Sequence, residues 1–379
     1  MIYLDSAATS LPKPKAVIEA MSTACRRYGN PGRSGHKASL EAGQAIYNCR
    51  AALGQFLGVN DPFRIVFCSN CTDALNQAIK GMLHEGGHVV TTALEHNSVL
   101  RPLYTLKERL LITLSVVYPR SDGYIEPNDI AAEINPRTRL VVVTHASNVT
   151  GAVQRIGDIA AICTQRNVPL LVDSAQAIGC IPVNIQALGA DMVAFPGHKG
   201  LLGPQGCGGL YIGAGCSPLP LREGGTGSSS LSLTQPMDLP DRYESGTAAT
   251  PAIAGLWAGV TYVQKNLKSI MDIEERLTAQ LWDGLKGIKG VTLYGPPPGK
   301  PRVGVVTFNI ANLAATEAAD RLSVENDIAC RAGLHCAPLA HRFLGTQEIG
   351  AIRFSIGPFN SSADIHLAVK AVGKLSARG

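Results

Sequence analysis

The chain has 379 residues, 45% hydrophobic and 17% charged, with a formal net charge of +5. That length supports a large buried core and roughly two to three structural units. The basic residues are scattered, with no run longer than "RR" or "KPK", which argues against a nucleic-acid-binding stripe. No apolar run reaches the ~20 residues of a membrane span. The opening "MIYLDSAATSLPKPK" also lacks the basic and apolar regions of a signal peptide, so a cytoplasmic location is expected. The 10 cysteines are then expected to stay as thiols. Cys68 and Cys71, in "CSNC", have metal-ligand spacing, but no second such pair exists, and no metal site is expected.

From about Pro62 the pattern alternates. Apolar runs ("FRIVFCS", "HVVTTAL", "LLITLSVVY", "RLVVVTHAS", "VPLLVDSAQ", "DMVAFPG", "CGGLYIG") are separated mostly by helical windows such as "TDALNQAIKGML" and "IGDIAAICTQR". The runs are continuously apolar, as strands buried on both faces of a mostly parallel sheet require. Residues 15–245 therefore read as one large α/β domain. The Gly/Ser-rich stretch Gly224–Asp241 breaks the pattern. Two helical windows follow, "AGLWAGVTYVQKNL" and "IMDIEERLTAQLWDGLKGI". After "GPPPGKPR" comes a strand–helix–strand alternation through "VGVVTFNI", "TEAADRLS", "GAIRFSIG" and "ADIHLAVKAVGKL". Residues 1–14 and 246–379 are expected to form a smaller α+β domain.

In open α/β sheets, ligands bind outside the carboxyl ends of the strands. Five consecutive strand ends here carry short polar residues: Thr72 and Asp73, Glu95 and His96, Ser147 and Asn148, Asp173 and Gln176, His198 and Lys199. Singly, each fits an ordinary role as a helix cap, a turn residue or a satisfied buried group. Converging on one sheet edge, they suit pyridoxal phosphate. Its aldehyde needs a lysine amine, supplied by Lys199 in "FPGHKGLLGPQG". Its pyridine nitrogen needs a carboxylate, Asp173. His96 offers a flat ring to stack, and Gln176 a neutral donor near the ring oxygen. The N–H groups of Cys71, Thr72 and Asp73, opening a helix, suit the phosphate.

"VDSAQ" followed by "GHKGLLGPQG" resembles the cofactor core of class V aminotransferase-fold enzymes. More closely, the chain resembles cysteine desulfurases and selenocysteine lyases nearly from end to end. "YLDSAATS" is similar to their opening and "YGNPGRSGH" to an early substrate loop. "EHNSVLRP" is similar to their stacking-histidine motif, "THASNVTG" to their asparagine motif and "ESGTAATP" to their Gly-Thr loop. "RAGLHCAPLAHRFLGT" resembles the segment that carries their catalytic cysteine, and "IRFSIGPFN" the one with the carboxylate-binding arginine. The short "RAGLHC" loop resembles the Suf-type branch. Pro196 and Cys71 depart from the pattern, standing where Ser and Thr are common, and "LHC" stands where "HHC" is common.

The resemblance implies fold type I of the pyridoxal-phosphate-dependent transferases. It also implies the role of each residue. Lys199 holds the cofactor and moves protons, and Cys336 takes the sulfur. Thr72 and His198 hold the phosphate, with Thr247 reaching across from a second subunit of a homodimer. His96 stacks, while Asp173 and Gln176 contact the ring. Asn148 and Arg353 position the substrate, Arg353 by a bidentate grip on its carboxylate. His335 and Arg331 are expected as cations that favour a Cys336 thiolate. The expected reaction converts L-cysteine to L-alanine and leaves a persulfide on Cys336 for a sulfur-acceptor protein. Selenocysteine lyase, cystine C–S lyase and plain aminotransferase remain alternatives, as does a non-catalytic sulfur-relay scaffold.

Overall fold

The computed structural model describes residues 1–31 and 34–377. Gly32 and Arg33 of "YGNPGRSGH" lie outside the described residues. The seven apolar runs form one sheet in the spatial order Ile65–Cys68, Gly208–Ile212, Met192–Pro196, Leu170–Asp173, Thr138–Thr144, Gly87–Thr92, Ile112–Val117. Only Gly208–Ile212 runs antiparallel to its neighbours. The parallel pairs place the carboxyl ends of the other strands on one edge. Helices cover the sheet, and its residues Val141, Val143, Val172, Val193 and Phe195 are buried in the largest apolar core. Val89, Val142, Leu171 and Met192 enter a second core on the opposite face. Burial on both faces is why these runs lack polar alternation.

A four-stranded antiparallel sheet, ordered Arg331–Gly333, Ala351–Ser355, Val305–Ile310, Val291–Tyr294, carries its own core with Leu4, Leu281, Phe308 and Phe354. The N-terminal strand Ile2–Tyr3 pairs in parallel with Ile328–Ala329, which draws the first residues into this unit. The two helical windows expected after residue 250 are one helix, Thr250–Lys286. The two residues between them, Lys268 and Ser269, include no Pro or Gly to stop it. Its start packs Ile253, Leu256 and Val260 into the large-sheet core, and its end packs Leu277, Leu281 and Leu285 into the small-sheet core. One helix thus spans both cores. Gly224–Asp241 contains neither helix nor strand. No helix is long and apolar enough to cross a membrane among the described residues.

Candidate active site

Lys199 sits three residues beyond the strand Met192–Pro196 and is half-buried. Its amine is held below its ordinary range, chiefly by burial, against the opposing pull of Asp173. The glycines around it permit close packing: a Cβ on Gly200 would collide with the carbonyl of Ile178. Asp173 ends the neighbouring strand Leu170–Asp173 and is buried. Its Oδ1 accepts from the N–H of Ala175 at 2.9 Å and faces the Cys71 thiol at 3.6 Å. His96 caps the helix Asn97–Glu108, its Nδ1 accepting from the Ser98 N–H at 3.0 Å. Burial first, and nearby cations after it, push its pKa down and hold the ring neutral, while Asp173 opposes them. Gln176 donates from Nε2 to the Ala7 carbonyl at 3.0 Å.

The helix Cys71–Met82 begins beside Lys199. The N–H of Asp73 is already taken by the Asn70 side chain at 2.9 Å, and the Asp73 carboxylate pairs with Arg222 at 2.8 Å. The expected anion cradle is therefore narrower: Asp73 is the cap partner, and Cys71 and Thr72 keep first-turn N–H groups with no intrahelical acceptor. Thr72 Oγ1 lies 2.7 Å from Ser98 Oγ, joining the Cys71–Met82 helix to the His96 helix. Ser98 had no signal in the sequence beyond its place two residues after His96. His198 has a buried Nδ1 with no hydrogen-bond partner. Burial and the charges of Lys199 and Lys13 push its pKa down to about 4. Its carbonyl is gripped by Thr9, Ser10 and Lys13, so the N-terminal segment fixes this loop.

The remaining groups arrive from the small sheet. Arg353, in Ala351–Ser355, donates from Nη2 to Asp5 at 2.9 Å and from Nη1 to the Asn148 carbonyl at 3.1 Å. Its Nε is buried and unpaired. Burial lowers its pKa, and Asp5 raises it. A buried guanidinium that lines a cavity and keeps one N–H unpaired is suited to an anion. Asp5, in "YLDSAATS", was not singled out in the sequence, because its partner is 348 positions away.

Cys336 and His335 both adopt left-handed backbone, φ 57° and 50°, and the Ala337 N–H donates to the Leu334 carbonyl at 2.9 Å. This is the pattern of a mirror-image turn normally built from Asn and Gly. Each such non-glycine residue costs about 1–3 kcal/mol and must be held by its surroundings. Asn148 Nδ2 donates to the His335 carbonyl at 2.7 Å, and the Asn97 N–H donates to the Cys336 carbonyl at 2.6 Å. His335 does not serve as a cation: burial first, then Arg353 and His341, push its pKa down to about 3. Two guanidiniums, Arg331 and Arg353, line the cavity together with Cys336.

These residues share a cavity of about 270 Å³. Thr72, His96, Asn148, Asp173, Gln176, His198, Lys199, Cys336 and Arg353 all line it. Thr247 does not. It is exposed and lines a separate cavity of about 780 Å³ beside Arg50, Phe67 and Glu244. The donor set around Lys199 fits pyridoxal phosphate: an amine lining the cavity and held below its ordinary range, a carboxylate beyond it, free N–H groups at a helix start and an orphaned imidazole nitrogen.

A family model of class V aminotransferases matches residues 2–367. The chain belongs to that family. It is 33% identical to a probable cysteine desulfurase of Methanothermobacter thermautotrophicus, covering 100% of this chain and 95% of the relative. It is 34% identical to a cysteine desulfurase of Cronobacter sakazakii, over 96% and 91% of the two chains. The apo structure of a cysteine desulfurase from Thermococcus onnurineus NA1 superimposes with a TM-score of 0.93 at 32% identity, covering 100% and 95%.

Proposed function

We propose that the protein is a pyridoxal-phosphate-dependent cysteine desulfurase that converts L-cysteine to L-alanine and receives the sulfur on Cys336. The observation that carries this reading is the single cavity in which Lys199 and Asp173 of the large sheet meet Arg353 and Cys336 of the small one. The relatives named cysteine desulfurase span nearly the whole chain and support the same chemistry.

Bound at Lys199, pyridoxal phosphate supplies an electron sink for charge that forms at the substrate Cα. The protein's own groups do the rest. When the cofactor is bound, Asp173 would face the ring nitrogen, His96 would stack, Gln176 would contact the ring oxygen, and Thr72 and His198 would hold the phosphate. Arg353 and Asn148 fix the substrate carboxylate and orient the side chain toward Cys336. Lys199 Nζ, neutral at lower pH than an exposed lysine, takes the Cα proton. Cys336 Sγ then attacks the substrate sulfur as thiolate. An S–S bond forms, the substrate Cβ–S bond breaks, and Cβ is protonated to give alanine. One sulfur atom moves, and no external oxidant or reductant is consumed.

We further propose a homodimer in which Thr247 of each chain closes the other's phosphate site. Its exposure and its distance from its own Lys199 cavity support this. The division into units 15–245 and 1–14 with 246–379 is likewise our reading, supported by the separate core of the antiparallel sheet. A sulfur-acceptor protein and a cytoplasmic location complete the proposal. The test is product analysis with L-cysteine under reducing conditions. Alanine and sulfide in equal amounts support a desulfurase, while pyruvate with ammonia, or a keto acid, assigns the rival chemistries.

A further inference from the structure

We propose that His341 is a positioning residue for sulfur transfer: its Nε2–H holds His335 by the Nδ1 lone pair and so locks the strained His335–Cys336 turn. This inference rests on Cys336 being the sulfur acceptor.

The contacts form a chain. Thr346 Oγ1 lies 2.8 Å from His341 Nδ1, and His341 Nε2 lies 3.1 Å from His335 Nδ1. His335 Nε2 makes a long 3.5 Å contact with the Arg331 carbonyl. The two rings stack at 5.3 Å, and His341 is fully buried. Two proton arrangements are conceivable. In one, His341 donates from Nδ1 to Thr346 and accepts from His335. The Thr346 hydroxyl is then left with the His341 carbonyl at 3.4 Å, already occupied by the Thr346 N–H, and a His335 lone pair faces a carbonyl. In the other, Thr346 donates to His341 Nδ1, His341 donates from Nε2 to His335 Nδ1, and His335 donates from Nε2 to Arg331. Every donor then meets an acceptor, so the second holds.

Two consequences follow from that direction. His335 has no free lone pair, so it does not act as the base for the Cys336 thiol despite its adjacency. Also, a proton added to His335 Nδ1 sets two donors against each other and opens the clasp, whereas one added to His341 Nδ1 only turns the Thr346 hydroxyl into an acceptor. Both rings sit in surroundings that disfavour that proton. Burial comes first for each, and for His335 the Arg331 and Arg353 guanidiniums add to it. The His335 and Cys336 carbonyls are held by Asn148 and the Asn97 N–H, but His341 is the partner that fixes the His335 side chain. Without it, the turn loses one of the four contacts that hold its left-handed residues.

The experiment uses the cofactor-loaded protein in three forms: wild type, His341→Leu and His341→Gln, whose amide N–H restores a donor. With His341→Leu, single-turnover alanine formation from L-cysteine should fall about tenfold, equivalent to about 1.4 kcal/mol of barrier. The L-cysteine concentration that half-saturates the cofactor's spectral change should stay within about twofold, since Lys199 and Arg353 are untouched. His341→Gln should recover most of the rate. An unchanged rate in His341→Leu, or a loss that glutamine does not relieve, overturns the proposal. An independent readout needs neither turnover nor a variant. Two-dimensional ¹⁵N NMR of the wild-type protein at neutral pH should show both rings protonated at Nε2. A His335 ring protonated at Nδ1 reverses the chain and overturns the proposal even if His341→Leu fails to fold. If wild type makes no alanine, the desulfurase reading fails, while the NMR result still decides the clasp.

Discussion

The two halves of the site are built differently. Around Lys199, orientation comes from the sheet: Asp173 ends one strand, Lys199 follows the next, and the Cys71 helix starts beside them. Around Cys336 the backbone is strained, and orientation comes from distant contacts with Asn97 and Asn148 and a nearby one with His341. The cofactor half thus follows from general strand-end geometry. The sulfur half depends on a turn that its own sequence does not favour. Damage to the first half should remove all chemistry, whereas damage to the second should separate substrate binding from sulfur transfer.

The largest expected effect is that of Lys199→Ala. It should abolish borohydride fixation of the cofactor and reduce alanine formation to background. Fixation that persists at another lysine would place the anchor elsewhere and dissolve the contrast between the two halves.

Arg353→Ala comes next, because Arg353 bridges the halves. Truncating one member of a desolvated charge pair costs about 2–5 kcal/mol. Substrate half-saturation should rise accordingly, while cofactor affinity stays nearly constant. The unpaired Nε and the neighbouring Asp5 motivate this. Equal losses in both affinities would make Arg353 a structural bolt between Asp5 and Asn148.

The smallest effect is on pH-dependent stability. His335 and His341 lie at about 3 and about 4 in the folded chain, against 6.5 when exposed. Between those values the unfolded chain binds more protons, so their contribution is present above about pH 6.5 and is lost as pH falls toward 4 and then 3. His145 and His198, also at about 4, act in the same direction. Denaturant midpoints measured from pH 7 to pH 4 should fall steeply in wild type and less so in His341→Gln. Equal slopes would mean that His341 titrates normally in the fold.

The difference between the halves also marks what the sequence reveals. The strands were legible because continuous apolar runs report burial on both faces. Lys199, Asp173 and His96 were legible because each stands at the end of such a run. Ser98 and Asp5 were not, since their significance lies in partners from other elements. His335 was misread as a cation because adjacency to Cys336 says nothing of burial. The two helical windows that proved to be Thr250–Lys286 show the same limit: two windows with no Gly or Pro between them need not be two helices.

The most direct measurement is the mass of the Cys336 peptide after a brief reaction of wild type with L-cysteine in the absence of reductant. The account predicts one added sulfur atom on that peptide, matched by alanine released, with the other nine cysteines unmodified. Alanine released with Cys336 unmodified, or sulfur on another cysteine, would contradict it.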